Sequence, residues 1–142
     1  MTRTANLQNS NFEREILCLR YFGDTLQPDS ISEALGSSPT KSWRKGELWS
    51  DKGVGALRET GAWVLNADWT GRLALNDQIE SLFESLSTDT AVWRKLAQEH
   101  HADVFCGFFL GGDSGYSALP LETLESLSSR RLAVHFGVYD GV

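Results

Sequence analysis

The chain has 142 residues, with 13 Lys and Arg against 19 Asp and Glu, and a formal net charge of −6. Its 41% hydrophobic and 23% charged residues suit one packed domain and argue against wholesale disorder. The acidic balance counts against a general nucleic-acid binder, whose affinity rests on phosphate neutralisation by Lys and Arg, and no apolar run approaches the roughly 20 residues of a membrane span.

The opening MTRTANLQNSNF is polar and has no apolar signal core. Residues 1–12 therefore read as a loose tail before a domain over 13–142, and the cytoplasm is the expected location. Residues 15–23, EILCLRYFG, put Leu17, Leu19 and Tyr21 on one face and Ile16, Cys18, Arg20 and Phe22 on the other. Apolar groups on both faces indicate a central strand. Pro28, Asp29, Ile31, Leu35 and Gly36 then outline a helix of about two turns, with Pro in the first turn and Gly as the left-handed cap.

Residues 37–61 are irregular, rich in Gly, Ser and Lys, with a short strand near residues 47–49 as the expected element. Residues 62–69 alternate as a half-exposed strand, with Trp63, Leu65, Ala67 and Trp69 opposite Asn66 and Asp68. Leu75, Ile79, Leu82, Phe83 and Leu86 recur at helical spacing, with Asn76 as the expected N-cap. A second helix is expected over 90–100, capped by Ser87 or Thr88. Residues 103–112 read as a buried strand and the segment from Pro120 to Arg131 as a helix whose terminal arginines offset its dipole. Residues 132–140 close the chain as a strand.

The fold class that follows is α+β: two layers, with a mixed or antiparallel sheet of about five strands and helices mainly on one face. Cys18 and Cys106 each begin a strand–turn–helix run that continues to Pro28 and to Pro120, which leaves open a duplicated unit. The strand ending at Gly23, the helix to Gly36, PTKSWRKGE with Gly46, GAWVL, the helix over 75–86 and the strand ending at Tyr139 together resemble a bacterial family, domain of unknown function 4279. The resemblance covers roughly residues 13–140 and implies no established activity.

No catalytic motif accompanies these elements. GGDSG around Asp113 lacks the Walker and dinucleotide patterns and has the wrong spacing for a nucleophile elbow. The two cysteines form no CxxC motif and read as buried hydrophobes. His100 and His101, adjacent on a helix end, point about 100° apart and so do not form a metal site by themselves. His135 reads as a packed or surface strand residue. Asp24 and Asp113 make a carboxylate pair only if both turns reach one end of the sheet. No cofactor and no metal are expected.

The remaining candidate is a local basic and aromatic cluster, Trp43, Arg44, Lys45 and Trp49, with Lys41, Lys52 and Arg58 nearby. Tryptophan beside arginine is typical of binding hot spots, whereas rings folded onto the core would make the same loop a lid. Three functions remain in order. The first is a non-enzymatic bacterial cytoplasmic module that binds a protein partner, in the manner of immunity proteins. The second is a small-anion or metabolite binder using the Trp43–Arg44–Lys45 loop, and the third an acid–base enzyme. Oligomeric state is not legible.

Overall fold

The structure is a computed structural model that describes residues 12–49, 55–67 and 74–140. In chain order the elements are β1 (Arg14–Gly23), α1 (Pro28–Leu35), β2 (Lys41–Trp43), β3 (Gly61–Asn66), α2 (Leu75–Glu84), α3 (Thr90–Glu99), β4 (His101–Phe109), α4 (Leu121–Ser129) and β5 (Ala133–Tyr139). The strands form one mixed sheet in the order β2-β3-β1-β4-β5. All neighbours are antiparallel except β4 and β5, which run parallel. A parallel neighbour needs a crossover rather than a hairpin, and α4 lies in that connection. The α+β class with five strands is as expected from the sequence.

One face of the sheet makes the core. Leu17, Leu19, Tyr21, Trp63, Val104 and Cys106 are at most 0% exposed, and they form one cluster with residues from all four helices, including Ile31, Ile79, Trp93 and Leu127. Because paired residues share a face, the register sets a second face against the first. It carries Ile16, Cys18, Arg20 and Phe22 from β1, Lys41 and Trp43 from β2, and His101, Asp103, Phe105 and Phe109 from β4, with His135 and Tyr139 from β5. None of these belongs to the core cluster.

Local chemistry accounts for most helix ends. Pro28 opens α1, and Gly36 ends it at φ 80°, a left-handed cap that costs glycine little. Asp89, rather than Ser87 or Thr88, caps α3 by accepting from the Ala91 N–H at 3.0 Å. The cap of α2 is Ala74, not Asn76, and has no side-chain bond of its own. Glu15 on β1 supplies what is missing: its Oε1 accepts from the Leu75 N–H at 2.6 Å, while its carbonyl accepts from Gln78 Nε2 at 2.7 Å. Asn76 instead accepts a hydrogen bond from Thr123 on α4.

Other expectations need correction. The strand placed near residues 47–49 is at Lys41–Trp43, and Leu48 makes only an isolated bridge to Leu57. Position 101 is the first residue of β4, not the end of a helix, because His100 is already extended. The tail over 1–12 lies outside the described residues except for Phe12, whose ring packs 4.6 Å from that of Phe108. Asp68, Trp69 and Lys52 also lie outside them. No helix among the described residues is long and apolar enough to cross a membrane.

The two strand–turn–helix runs, β1–α1 and β4–α4, place their strands side by side at the centre of the sheet. Cys18 and Cys106 fall on opposite faces of adjacent antiparallel strands, and only the second unit returns to pair with its own strand. Antiparallel pairing also sends Asp24, just past the end of β1, and Asp113, past the end of β4, to opposite ends of the sheet. They form no carboxylate pair, and Asp24 binds Lys45 Nζ at 3.2 Å instead.

Candidate functional site

Polar side chains converge on the second face of the sheet around Asp103. Its side chain is fully buried although it lies in the outward row of β4. Arg20, directly opposite on β1, donates to it twice, Nε to Oδ1 at 2.8 Å and Nη2 to Oδ2 at 2.9 Å. His101, two residues earlier on the same strand, brings Nε2 to 2.9 Å from Oδ2. His135 on β5 brings its Nε2 to 3.4 Å from the same oxygen. The guanidinium is flanked by the Phe22 and Phe105 rings, at 5.2 and 5.0 Å from its carbon.

This arrangement neutralises a carboxylate that burial would otherwise destabilise. Desolvation pushes the Asp103 pKa up, but the Arg20 and His101 bonds outweigh it and hold the carboxyl below its ordinary range. The two imidazoles are each about half exposed, at 51% and 50%, so the cluster opens to solvent on the side away from the sheet. The Phe105 ring packs directly over Gly137, where a Cβ would stand 2.7 Å from its Cζ.

The loop singled out in the sequence folds differently from a free basic patch. Trp43 and Trp49 have ring centroids 6.4 Å apart, and the Arg58 guanidinium lies against both, at 3.7 and 3.5 Å. Trp43 Nε1 donates to the Thr60 carbonyl at 3.0 Å. Lys45 pairs with Asp24, and the Arg44 backbone N–H is held by Glu47 at 2.9 Å. Trp43 still belongs to the second sheet face, in one row with Ala62, Phe22 and His101. The structure thus brings the two tryptophans together around Arg58 and leaves the Arg44 side chain exposed.

A third feature lies on β5. Phe136 and Val138 point to the same side as the core, opposite Cys106 and Phe108, yet each is 62% exposed. Leu121 and Leu124 on α4 are exposed as well. A groove of about 430 Å³ runs beside them, lined by Leu124, Leu127, Leu132 and Val134 with Arg131 as its cation.

A family model described as a domain of unknown function (DUF4279) matches residues 14–141. The chain belongs to the DUF4279 family. No curated protein and no solved structure matches it. The match agrees with the resemblance read from the sequence, and it carries no activity into the DUF4279 domain.

Sequence reasoning did not find the Arg20–His101–Asp103–His135 cluster of the DUF4279 domain. Arg20, His101 and Asp103 share one face only once β1 and β4 are known to pair, and His135 joins them only through the parallel β4–β5 ladder. The one signal available was Arg20 itself, a charge in the middle of an otherwise apolar strand.

Proposed function

We propose that this domain is a non-enzymatic binding module whose partner is a basic protein that docks along the β5 edge. The observation that supports this most directly is the exposure of Phe136 and Val138 on an edge strand. A clustered, exposed apolar strip usually marks an interaction surface. An edge strand also offers unpaired backbone groups to a second chain. Val134, Phe136 and Val138 alternate along β5 on one side, and the groove beside Leu124 and Leu132 continues that apolar surface towards α4.

Charge selects the kind of partner. Glu125 on α4 and Asp140 just past β5 are exposed acidic residues on the two elements that carry the strip, on a chain of net charge −6. Such charge speeds encounter with a positively charged protein and disfavours acidic ones. An immunity-type role in the bacterial cytoplasm, in which an acidic domain neutralises a basic toxin, is the specific form of this reading. The small-anion reading at Trp43, Arg44 and Lys45 has less support. The ring faces of Trp43 and Trp49 are taken up by Arg58, and Lys45 is taken up by Asp24.

The test compares capture by the parent and by the Phe136→Ser/Val138→Ser variant from a lysate of the source cell. Both residues are largely exposed, so the variant keeps its melting temperature near that of the parent. The reading requires a basic protein recovered by the parent and lost by the variant. Equal recovery by both moves the interface elsewhere.

A further inference from the structure

We propose that His101, Asp103 and His135 form a binding site for a divalent transition-metal ion of the zinc, nickel or copper class. One ring nitrogen of His101, one of His135 and a carboxylate oxygen of Asp103 all lie within 4.8 Å of one another. Ligand bonds of about 2.0–2.2 Å in a tetrahedral site put ligand atoms roughly 3.4 Å apart. The His135–Asp103 distance is already 3.4 Å, and the 2.9 Å between His101 and Asp103 needs only a small swing of a half-exposed ring. Both Nε2 atoms approach the same Asp103 oxygen, and the imidazole rings stand nearly perpendicular with centroids 5.7 Å apart.

The framework is rigid. His101 and Asp103 alternate on one strand, and His135 sits beside Phe105 on the strand paired with it. Arg20 serves as the outer partner that orients the ligating carboxylate, through Nε on Oδ1 and Nη2 on Oδ2. Carboxylates that bind metal are commonly held in this way.

The same arginine sets the class of metal. Its charge already balances Asp103, so a hard cation that relies on carboxylate charge gains little there. The two imidazoles are neutral nitrogen donors, which suit zinc, nickel and copper rather than magnesium or calcium. Both Nε2 atoms face Oδ2, and a bound ion would take the place of those contacts while Arg20 keeps Oδ1. The exposed side of the rings leaves further coordination positions open to water or to an outside donor.

The experiment titrates Co²⁺ and Zn²⁺ into the tag-free domain, following the visible absorption of Co²⁺ and the heat of Zn²⁺ binding. One equivalent is expected to bind saturably, with an absorption spectrum that reports nitrogen and oxygen ligands. His101→Ala and His135→Ala should each weaken binding by at least about tenfold, the scale seen even for outer-shell partners. His100→Ala, which removes the neighbouring histidine outside the cluster, should leave it unchanged. Mg²⁺ and Ca²⁺ should not compete. The proposal is overturned by the absence of saturable binding, by parent-like affinity in either histidine variant, or by competition from Mg²⁺ at similar concentration. Because both substituted imidazoles are half exposed, unchanged melting of the apo variants separates ligand loss from unfolding.

Discussion

Arg20 on β1 and Asp103 on β4 are direct cross-strand partners joined by two parallel hydrogen bonds of 2.8 and 2.9 Å. The Asp103 side chain is inaccessible, while that of Arg20 remains 24% exposed. Removing the arginine strands a buried carboxylate with only the imidazoles for company. Arg20→Ala is expected to cost about 2–4 kcal/mol, below the fully buried case because the guanidinium is partly hydrated. Urea denaturation measures this. A loss within the ~1 kcal/mol of a surface ion pair would contradict the assignment.

The same pair sets an acid-side dependence. Asp103 has a folded-state pKa below its ordinary value, so the unfolded chain takes up its proton first as pH falls. Its contribution is therefore whole above about pH 4 and drains away as pH drops through the lower, folded value. The urea midpoint should fall on that side in the parent and fall less steeply in Arg20→Ala. Parallel pH profiles would show that Arg20 does not hold the carboxyl down.

Glu15 should behave as the cap of a helix 60 residues away in sequence. Glu15→Ala removes both the acceptor for the Leu75 N–H and a negative charge at the α2 N-terminus, at an expected cost of about 1–2 kcal/mol. Glu15→Gln keeps an acceptor without the charge and should cost less. The two stabilities, measured in urea, would contradict the capping role if the alanine variant matched the parent.

Burial pushes the Cys106 thiol up to about 12, with the Glu15 charge adding to it, and burial also raises Cys18 against the opposing pull of Arg20 and Lys41. The reactive species is the thiolate, so both thiols should alkylate slowly at about pH 8 in the native protein and rapidly in urea. Mass spectrometry of labelled protein reads both. Since a raised folded pKa favours the neutral thiol, that contribution to stability is whole below the unfolded value of about 8.5 and declines at higher pH. Fast native labelling of Cys106 would contradict its burial.

Much of the fold was legible because periodicity survives into it. The alternation of residues 15–23 separated the buried Leu17, Leu19 and Tyr21 from the outward row, and the spacing of Leu75, Ile79, Leu82 and Phe83 marked the buried stripe of α2. Pairing was not legible. β2 is three largely polar residues whose strand character comes only from the Lys41–Trp43 ladder on β3. α3 passes into β4 with no Gly or Pro between them, so His101 looked like a helix end. The Asp103 cluster depends on two ladders at once, and the Trp43–Arg58–Trp49 stack on a loop that doubles back. Exposure of Phe136 was hidden for the opposite reason, since an apolar residue in an alternating strand reads as core unless the helix that should cover it is known to fall short.

The most direct test of the β5 interface is hydrogen–deuterium exchange of the domain with and without its captured partner. Slowed exchange concentrated in residues 133–139 and the adjoining part of α4, with the 43–49 loop unchanged, is the predicted result. Protection confined to the Trp43–Trp49 loop, with β5 exchanging as in the free domain, would contradict it and return the binding site to the tryptophan loop.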